Sequence, residues 1–403
     1  MTAKHLTVYL LGNRVGTLSQ EMGGRHWLTY DEDYTGQELS LSLPTTTRRW
    51  GPERVEPFIA GLVPEDERVK EKIAREHDVS ARNPFSLLSA IGRECAGAVQ
   101  FLPPTENPND DARIVPLSDD DVAQRLRQIT GPAQDSWMSV NERWSLAGMQ
   151  SKIALHRDPA TSQWCEADGS AATTHIIKPA GPLPLHALNE VLCLRTLHYL
   201  GVPAAWTELQ VFDGIPAVVS TRWDREFIDG DVLRIHQEDL CQAMHIHPDN
   251  KYTSDGGPQA HEIAQFLKKS APDQRLHEDF TRLLILNVLL GNPDAHAKNY
   301  SLIHPIDGPP RLAPAYDIAS ILPYKPDSTL AMKIGGRNVP REIELRHWHR
   351  YAERANVPQR AIDQMLSSIA GNLPLAMKKA IIEAVTTWPS ADTPPSGTSC
   401  PPS

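Results

Sequence analysis

The segment LLILNVLLGNPDAHAKNYSLI, residues 283–303, holds the pattern that decides the fold. Its apolar first half predicts a helix, which must end at Gly291-Asn292-Pro293 because proline cannot continue a helix. Asp294 follows this break directly, and Asn299 lies five residues further on. This separation matches the D-x-x-x-x-N pattern of a phosphoryl-transfer catalytic loop.

A second acid lies downstream in the sequence LAPAYDIAS, where Asp317 follows a predicted β-hairpin that begins at residues 300–303. Phosphoryl transfer needs one carboxylate to accept a proton from the attacking hydroxyl. It also needs an amide and a second carboxylate to hold Mg²⁺ on the phosphates. Asp294, Asn299 and Asp317 could provide these groups, and Lys298 could offset charge on the moving phosphoryl group. Taken alone, the motif is equally compatible with a solvated turn.

Two further charged residues lie upstream, in the order that a kinase requires. The predicted strand THIIKPA contains Lys178, a candidate contact to nucleotide phosphates, and a predicted helix twelve residues later opens with Glu190, its candidate ion-pair partner. Each residue also has an ordinary interpretation. Lys178 could be a strand-end lysine in water, and Glu190 a first-turn acid favoured by the helix dipole. Their joint order with the three downstream residues favours the functional interpretation.

A phosphate-covering loop is expected before Lys178, and the candidate is SLAGMQSK, residues 145–152. This stretch contains one glycine, so it is neither a Walker loop nor a G-x-G-x-x-G loop. A turn of small residues can still present backbone N–H groups to phosphate. The alternative is an ordinary hairpin turn.

The composition predicts a cytoplasmic globular protein. The 403 residues carry a net charge of −10, which argues against strong unaided binding to nucleic acid. The five cysteines form no C-x-x-C, which argues against a disulfide framework or a zinc ribbon. No apolar run approaches the roughly 18 residues of a membrane helix, and the N-terminus lacks the features of a signal peptide.

The order of elements predicts strands early in the chain and helices later. Gly12-Asn13 indicates a hairpin, and the alternation over residues 39–43 predicts a strand. Residues 103–111 are rich in Pro, Asn and Asp, which is typical of a linker. Further strands are predicted at 151–155, 174–178, 207–212 and 215–220, and helices at 53–62, 67–76, 84–91, 120–129, 187–200, 238–244, 257–268, 274–290, 342–354 and 359–376.

Eight stretches of this sequence together resemble the HipA family, the serine/threonine kinase toxins of bacterial HipBA toxin–antitoxin modules. They occur in family order and span nearly the whole chain up to Trp388, so their joint specificity is high. The stretches are LSLSLP (39–44), NPFSLLSAIGRECAGAVQ (83–100), SLAGMQSKIAL (145–155), TTHIIKP (173–179), HQEDLCQ (236–242), KYTSDGGP (251–258), GNPDAHAKNYS (291–301) and PAYDIAS (314–320).

The resemblance implies an α+β fold, in which a small N-terminal α/β subdomain precedes a two-lobed, protein-kinase-like body. We expect the N-terminal subdomain at residues 1–106, and an N-lobe with the phosphate loop and hinge at residues 107–223. A mainly helical C-lobe with the catalytic loop is expected at residues 224–388. Residues 389–403 are rich in Pro and Ser and are expected to be a disordered tail.

The resemblance also implies roles for individual residues. Asp294 would be the catalytic base of an ATP- and Mg²⁺-dependent kinase, with Asn299 and Asp317 as the Mg²⁺ ligands. Ser145 matches the serine that family members autophosphorylate, and a phosphate there should eject the loop by repulsion from the nucleotide. The residues expected to contact ATP are Ala147, Gly148, Met149, Gln150, Ser151, Lys152, Lys178, Thr221, Arg222, Trp223, His296, Lys298, Asn299, Tyr316 and Asp317.

Three positions depart from the family pattern. Thr221 stands where the hinge often has a glutamate, which changes the expected adenine contacts. Ala295 replaces the glycine that follows the catalytic aspartate, and Ser151 replaces the usual glutamate of the phosphate loop. None of the three changes removes a catalytic group.

The family resemblance implies partners as well. Family members bind a small helix-turn-helix antitoxin, HipB, which brings the complex to operator DNA. An acidic chain could therefore co-repress its operon, because most phosphate contacts would come from the partner. Known family targets are aminoacyl-tRNA synthetases, glutamyl-tRNA synthetase among them, whose phosphorylation would halt tRNA charging and growth.

Two other functions are compatible with parts of the pattern. A small-molecule kinase, such as an antibiotic phosphotransferase, could use similar loops, but the N-terminal module argues against it. A non-catalytic co-repressor could have kept the fold, but the intact set of Lys178, Asp294, Asn299 and Asp317 argues against decay. The sequence therefore favours a protein kinase toxin that inactivates itself at Ser145.

Overall fold

The N-terminal domain is an antiparallel sheet covered by helices. The computed structural model describes residues 4–110, 112–130, 144–145, 151–181, 183, 185–272 and 275–387, with only the backbone at 144–145 and 387. The sheet order is β4 (Arg49–Trp50), β3 (His26–Tyr30), β2 (Asn13–Gln20), β1 (Lys4–Leu10) and β6 (Val99–Leu102). Its helices are α1 (Pro52–Leu62), α2 (Glu67–His77) and α3 (Pro84–Ile91). The predicted hairpin and these three helices are confirmed.

The strand predicted at residues 39–43 is wrong, because this segment forms a turn. The alternating pattern assumes that its serines face water, yet Ser40 and Ser42 are fully buried. The Ser40 hydroxyl donates to the Glu238 carboxylate, and the Tyr30 hydroxyl donates to the Leu43 carbonyl at 2.6 Å. Hydrogen bonds to distant groups therefore replace a strand ladder, and the turn joins the N-terminal domain to the C-lobe.

The N-lobe is a six-stranded antiparallel sheet with one helix packed against each of its faces. The strand order is β12 (Thr207–Phe212), β13 (Ile215–Thr221), β11 (His175–Pro179), β9 (Ile153–Arg157), β10 (Trp164–Asp168) and β7 (Arg113–Pro116). The helices are α4 (Asp119–Thr130) and α5 (His186–Tyr199). Outside this sheet, β5 (Glu94–Cys95) pairs in parallel with β8 (Trp144–Ser145). The backbone just before the predicted phosphate loop is thus held by the N-terminal domain.

The C-lobe is mainly helical and surrounds the largest apolar core. Its helices are α6 (Leu240–Ala243), α7 (Ala260–Ser270), α8 (Leu276–Leu290), α9 (Leu345–Ala355) and α10 (Gln359–Thr387). The strands β16 (Gln237–Asp239), β17 (Ser301–Ile303) and β18 (Arg311–Leu312) form one small sheet, and β14 (Arg225–Ile228) pairs with β15 (Asp231–Arg234). The helix predicted at 238–244 therefore begins as a strand, but the predicted α+β class is confirmed. In the described part of the chain, no helix combines the length and apolar character needed to cross a membrane.

A buried ionic cluster connects the N-terminal domain to the strands that follow the N-lobe. The Glu94 carboxylate on β5 accepts hydrogen bonds from Arg222 at 3.2 Å, Arg225 at 3.0 Å and Arg234 at 2.6 Å. Burial by itself would raise the pKa of Glu94, but the three guanidinium groups outweigh it and hold the pKa well below its ordinary value. The relative position of the two domains thus depends on a charged, solvent-excluded contact.

Candidate functional site

A cavity of about 350 Å³ lies where the N-terminal domain and the two lobes meet. Gly61 and Glu65 contribute to its wall from the N-terminal domain. Most of the predicted site residues also line it, namely Lys152, Lys178, Thr221, Arg222, Trp223, Asp294, His296, Lys298, Asn299, Tyr316 and Asp317. The fold therefore brings together residues that lie far apart in the sequence.

The helix end that precedes the predicted catalytic loop is built as the sequence predicts. Gly291 ends α8 in the left-handed region, with φ +68°, and a Cβ there would come within 2.4 Å of the Leu322 side chain. The Asn292 side chain accepts from the Asp294 N–H at 3.2 Å and donates to Asn287 at 2.8 Å. These bonds hold the start of the loop, and the Asp294 side chain projects with 55% of its surface exposed.

Asn299 closes the loop onto Asp294. Its side-chain nitrogen donates to the Asp294 carbonyl at 2.8 Å. The amide nitrogen is thereby used within the loop, so the amide oxygen is the atom suited to bind a cation. The Asp294 carboxylate in turn accepts a hydrogen bond of 2.5 Å from the Tyr252 hydroxyl. His296 lies beside it, with Nε2 3.7 Å from Asp294 Oδ1, and burial lowers the pKa of this histidine to about 4.

Lys178 lies between two carboxylates on the opposite wall. Its Nζ is 3.0 Å from Glu190 and also pairs with Asp317. Burial alone would lower the pKa of Lys178, but Asp317 and Glu190 raise it above its ordinary value. Burial would raise the pKa of Asp317, but Lys178 and Lys152 hold it below the ordinary value. The predicted ion pair is present, and Glu190 is a buried residue of α5 rather than a solvated first-turn acid.

The residue before Glu190 connects α5 to the segment after Asp317. Asn189 accepts from the Ser320 N–H at 2.8 Å and donates to the Ser320 carbonyl at 2.7 Å. Asp317 itself has φ +53°, a backbone conformation that is uncommon outside glycine, asparagine and aspartate. The two hydrogen bonds between Asn189 and Ser320 fix the segment that follows this left-handed turn.

Lys298 lines the cavity, but its charge has partners on the protein. Its Nζ donates to Asp239 at 2.6 Å and to the Gly61 carbonyl of the N-terminal domain at 2.8 Å. Burial would lower the pKa of Lys298, but Asp239 outweighs it and raises the pKa. The sequence did not indicate this pairing. As a phosphate contact, Lys298 would have to share its charge with Asp239.

The predicted hinge residues differ in where their side chains lie. The Arg222 guanidinium is 1% exposed and binds Glu94 and Asp224, so a contact from Arg222 to a base would have to come from its backbone. The Trp223 ring lies 6.0 Å from the Tyr316 ring, with the planes tilted by 31°. The pair of Trp223 and Tyr316 is the part of the cavity wall suited to cover a planar ligand.

The phosphate loop remains a prediction. Ala147, Gly148, Met149 and Gln150 lie outside the described residues. Ser151 and Lys152 are described, and burial lowers the pKa of Lys152 to about 8. For Ser145 the structure gives the backbone, which pairs with Cys95, and its side chain lies outside the description.

Four residues of the site were missed in the sequence. Lys251 binds Glu65 of the N-terminal domain at 2.5 Å, Tyr252 binds Asp294, and Asp239 binds Lys298. Three of them, Lys251, Tyr252 and Asp239, lie in HQEDLCQ and KYTSDGGP, two of the stretches that carry the family resemblance, so a signal existed without an assigned role. Glu65 carried no such signal.

Comparison with known families agrees with this architecture. Residues 6–102 match the family model of the HipA N-terminal domain, and residues 144–377, more than half of the chain, match that of the HipA-like C-terminal domain. The chain belongs to the HipA family. The predicted resemblance is thus confirmed, and the family membership covers both the N-terminal domain and the two-lobed body.

Individual HipA-family relatives align over almost the full length. The Sinorhizobium fredii protein Y4mE is 32% identical over 398 residues, covering 94% of this chain and 93% of its own. The serine/threonine-protein kinase toxin HipA of Shewanella oneidensis is 27% identical over 400 residues, covering 94% of this chain and 90% of its own.

A solved structure gives the corresponding result for the fold. HipA in the complex of Shewanella oneidensis HipA, HipB and operator DNA superposes with a TM-score of 0.81 at 26% identity, covering 94% of this chain and 91% of that one. The predicted two-lobed, kinase-like fold is therefore confirmed.

Proposed function

We propose that this chain is a protein kinase that transfers the γ-phosphoryl group of ATP to serine or threonine. One observation carries the proposal. A single cavity is lined on one side by Lys178 with Glu190 and Asp317, and on the other by Asp294 and Asn299. The first group is suited to bind phosphates and metal, and the second to activate a hydroxyl. The Shewanella relative is named as a kinase of this type, which supports the proposal.

The residues of the cavity fit Mg²⁺ bound together with a nucleotide. Asn299 and Asp317 offer oxygen ligands, which this hard cation prefers, and Mg²⁺ usually takes one or two carboxylates and completes its shell with phosphates and water. Among the described residues, no group of three or more His, Cys, Asp or Glu side chains is placed to hold a metal by itself. Bound Mg²⁺ would neutralise charge on the transferred phosphate.

The proposed chemistry assigns the proton transfer to Asp294. Its carboxylate would accept the proton of the acceptor hydroxyl while that oxygen attacks the γ-phosphorus and ADP leaves. Lys178 would bind the nucleotide phosphates, held in place by Glu190. The exposure of Asp294 favours an acceptor on a protein over a small molecule enclosed in the cavity.

We further propose that the chain is the toxin of a toxin–antitoxin module and acts in the cytoplasm. The Shewanella relative is named as a toxin and was solved with HipB and operator DNA. The partner would be a HipB-like helix-turn-helix antitoxin, through which the chain would reach operator DNA and co-repress its operon. The substrate would be a translation protein, an aminoacyl-tRNA synthetase such as glutamyl-tRNA synthetase.

Self-inactivation is proposed to occur by autophosphorylation of Ser145. Its backbone pairs with β5 of the N-terminal domain, next to the predicted phosphate loop. A phosphate there would add about −1.5 to −2 charge units beside a loop that must approach nucleotide phosphates. A Ser145→Ala variant incubated with ATP should lack one phosphate by intact mass, and an unchanged mass increment would show that Ser145 is not the site.

Labelled ATP tests the proposed kinase activity. With Mg²⁺, the wild-type chain should label itself and a protein in a cell extract, and Asp294→Ala should label neither. Asp307→Ala, a change of an exposed aspartate on the loop between β17 and β18, is the matched control and should behave as wild type. Growth arrest by soluble Asp294→Ala protein would contradict the assignment.

The same experiment separates the two alternative functions. Phosphorylation of an aminoglycoside without protein labelling would indicate a small-molecule kinase. No turnover, together with co-purification of an antitoxin on DNA, would indicate a co-repressor. Phosphoproteomics after induction, with Asp294→Ala as reference, would identify the substrate.

A further inference from the structure

Tyr252 holds the proposed catalytic base from outside the D-x-x-x-x-N motif. Its hydroxyl donates to Asp294 Oδ1 at 2.5 Å. Its ring packs edge-to-face on His296, with the ring centroids 4.8 Å apart. The phenol therefore has both a polar and an apolar contact with the catalytic loop. These contacts restrict rotation of the Asp294 carboxylate.

The segment that carries Tyr252 is short and irregular. It consists of two 3-10 turns, Pro248–Asn250 and Thr253–Asp255, closed by the Gly257 N–H donating to the Tyr252 carbonyl at 2.9 Å. Such turns provide few hydrogen bonds of their own, so their position depends on contacts with neighbouring parts of the chain.

The neighbouring contact comes from the N-terminal domain. Lys251 Nζ lies 2.5 Å from Glu65 Oε2, and the two side chains are 8% and 14% exposed. Lys298 faces Glu65 as well, so the carboxylate lies near two lysine ammonium groups. An ion pair this shielded from water holds its geometry better than a surface pair does.

We propose that the N-terminal domain positions the catalytic base through the relay Glu65–Lys251–Tyr252–Asp294. In this relay Tyr252 is a positioning residue that engages Oδ1 of Asp294 and leaves Oδ2 to the acceptor hydroxyl. Activity then depends on how the N-terminal domain docks onto the C-lobe. The catalytic consequence rests on the proposed kinase function, whereas the contact relay does not.

The kinetic test is Tyr252→Phe in the full chain. Loss of a hydrogen bond to a charged group should lower kcat about tenfold, while KM for ATP stays within about twofold because the phosphate-binding side is untouched. Tyr199→Phe is the matched control, since it removes a phenol–carboxylate hydrogen bond to Glu383, and neither residue lines the cavity. An unchanged kcat for Tyr252→Phe would overturn the proposal.

The coupling between Glu65 and Tyr252 is tested by measuring kcat for Glu65→Gln, alone and combined with Tyr252→Phe. If both act through one relay, the double variant should be no slower than Tyr252→Phe within about twofold. Glu67→Gln removes the exposed pair with Lys70 in the same domain and should leave kcat unchanged. Effects that multiply in the double variant would show that Glu65 acts independently of Tyr252.

A spectroscopic test works without phosphoryl transfer. In protein labelled with ¹³C at tyrosine Cζ, the resonance missing from Tyr252→Phe belongs to Tyr252. It should move in Asp294→Asn and in Glu65→Gln, but not in Glu67→Gln. A resonance insensitive to Glu65→Gln would overturn the relay. If the Tyr252 resonance moved in both variants but the wild-type chain had no kinase activity, the proposed function would be refuted and the relay would still hold.

Discussion

The Nζ atom of Lys178 lies 3.0 Å from Oε1 of Glu190, in surroundings where the two side chains are 6% and 4% exposed. Strand β11 carries the lysine and helix α5 carries the glutamate, so the pair fixes the helix against the sheet. Because both charges are removed from water, loss of one leaves the other poorly compensated.

Glu190→Gln should therefore lower the free energy of unfolding by about 3 kcal/mol, the lower end for a broken buried pair, since Lys178 keeps Asp317. KM for ATP should rise, because the lysine would no longer be held toward the phosphates. Urea denaturation and ATP titration measure the two effects. Glu67→Gln, which breaks an exposed pair, should cost less than about 1 kcal/mol, and equal stability of the two variants would contradict the prediction.

Asn189→Asp should loosen the segment after Asp317. The aspartate keeps an acceptor for the Ser320 N–H but loses the donor to the Ser320 carbonyl, so one hydrogen bond becomes a repulsive contact. We expect a loss of about 1–3 kcal/mol in the free energy of unfolding. Amide exchange at residues 317–324 should also be faster. Asn372→Asp, on an exposed face of α10, is the control, and equal exchange in both variants would argue against the contact.

The pKa of Lys152, which burial lowers to about 8, predicts an alkaline limit to activity. As the pH rises through this value, Lys152 loses its proton and with it the charge that would meet phosphate. The profile of kcat/KM for ATP, which reports the unliganded protein, should fall above about pH 8. Lys152→Arg keeps its charge and should move this limb to higher pH. The control Lys70→Arg should leave the alkaline fall of kcat/KM at the wild-type pH. If Lys152→Arg did the same, Lys152 would not be the group that titrates.

Glu94 should make stability sensitive to acid. Because its pKa is lowered in the folded chain, ionised Glu94 contributes stability above its unfolded pKa of about 4.3, and this contribution declines as the pH falls. Glu94→Gln should cost at least about 3 kcal/mol at neutral pH. The difference in the free energy of unfolding between Glu94→Gln and wild type should become smaller as the pH falls. Thermal unfolding measured from neutral pH down to about the unfolded pKa tests this prediction. Asp31→Asn, which breaks an exposed pair with Arg14, is the control. A difference that stays constant with pH would contradict the prediction.

Much of the secondary structure follows from local sequence. The end of α8 required only Gly291 and Pro293, since one supplies a left-handed conformation and the other cannot continue a helix. The hairpin at Gly12-Asn13 is equally local. Residues 39–43 show the limit of such reasoning, because their alternation is that of a strand while their serines hydrogen-bond to Glu238 and to each other.

The sequence by itself also determined the order of the charged residues, which favoured a kinase-type site with Glu190 as the ion-pair partner of Lys178, and the eight stretches that indicated the family. Which distant partners complete the site was decided by the tertiary structure. Glu65 and Lys251 are 186 residues apart, and Tyr252 and Asp294 are 42 apart. No local pattern records these pairs, because the first depends on how the N-terminal domain packs on the C-lobe and the second on how two distant segments of the C-lobe pack together. Spacing along one loop predicted Asp294 as the base, and only the tertiary structure shows that Tyr252 donates a hydrogen bond to it.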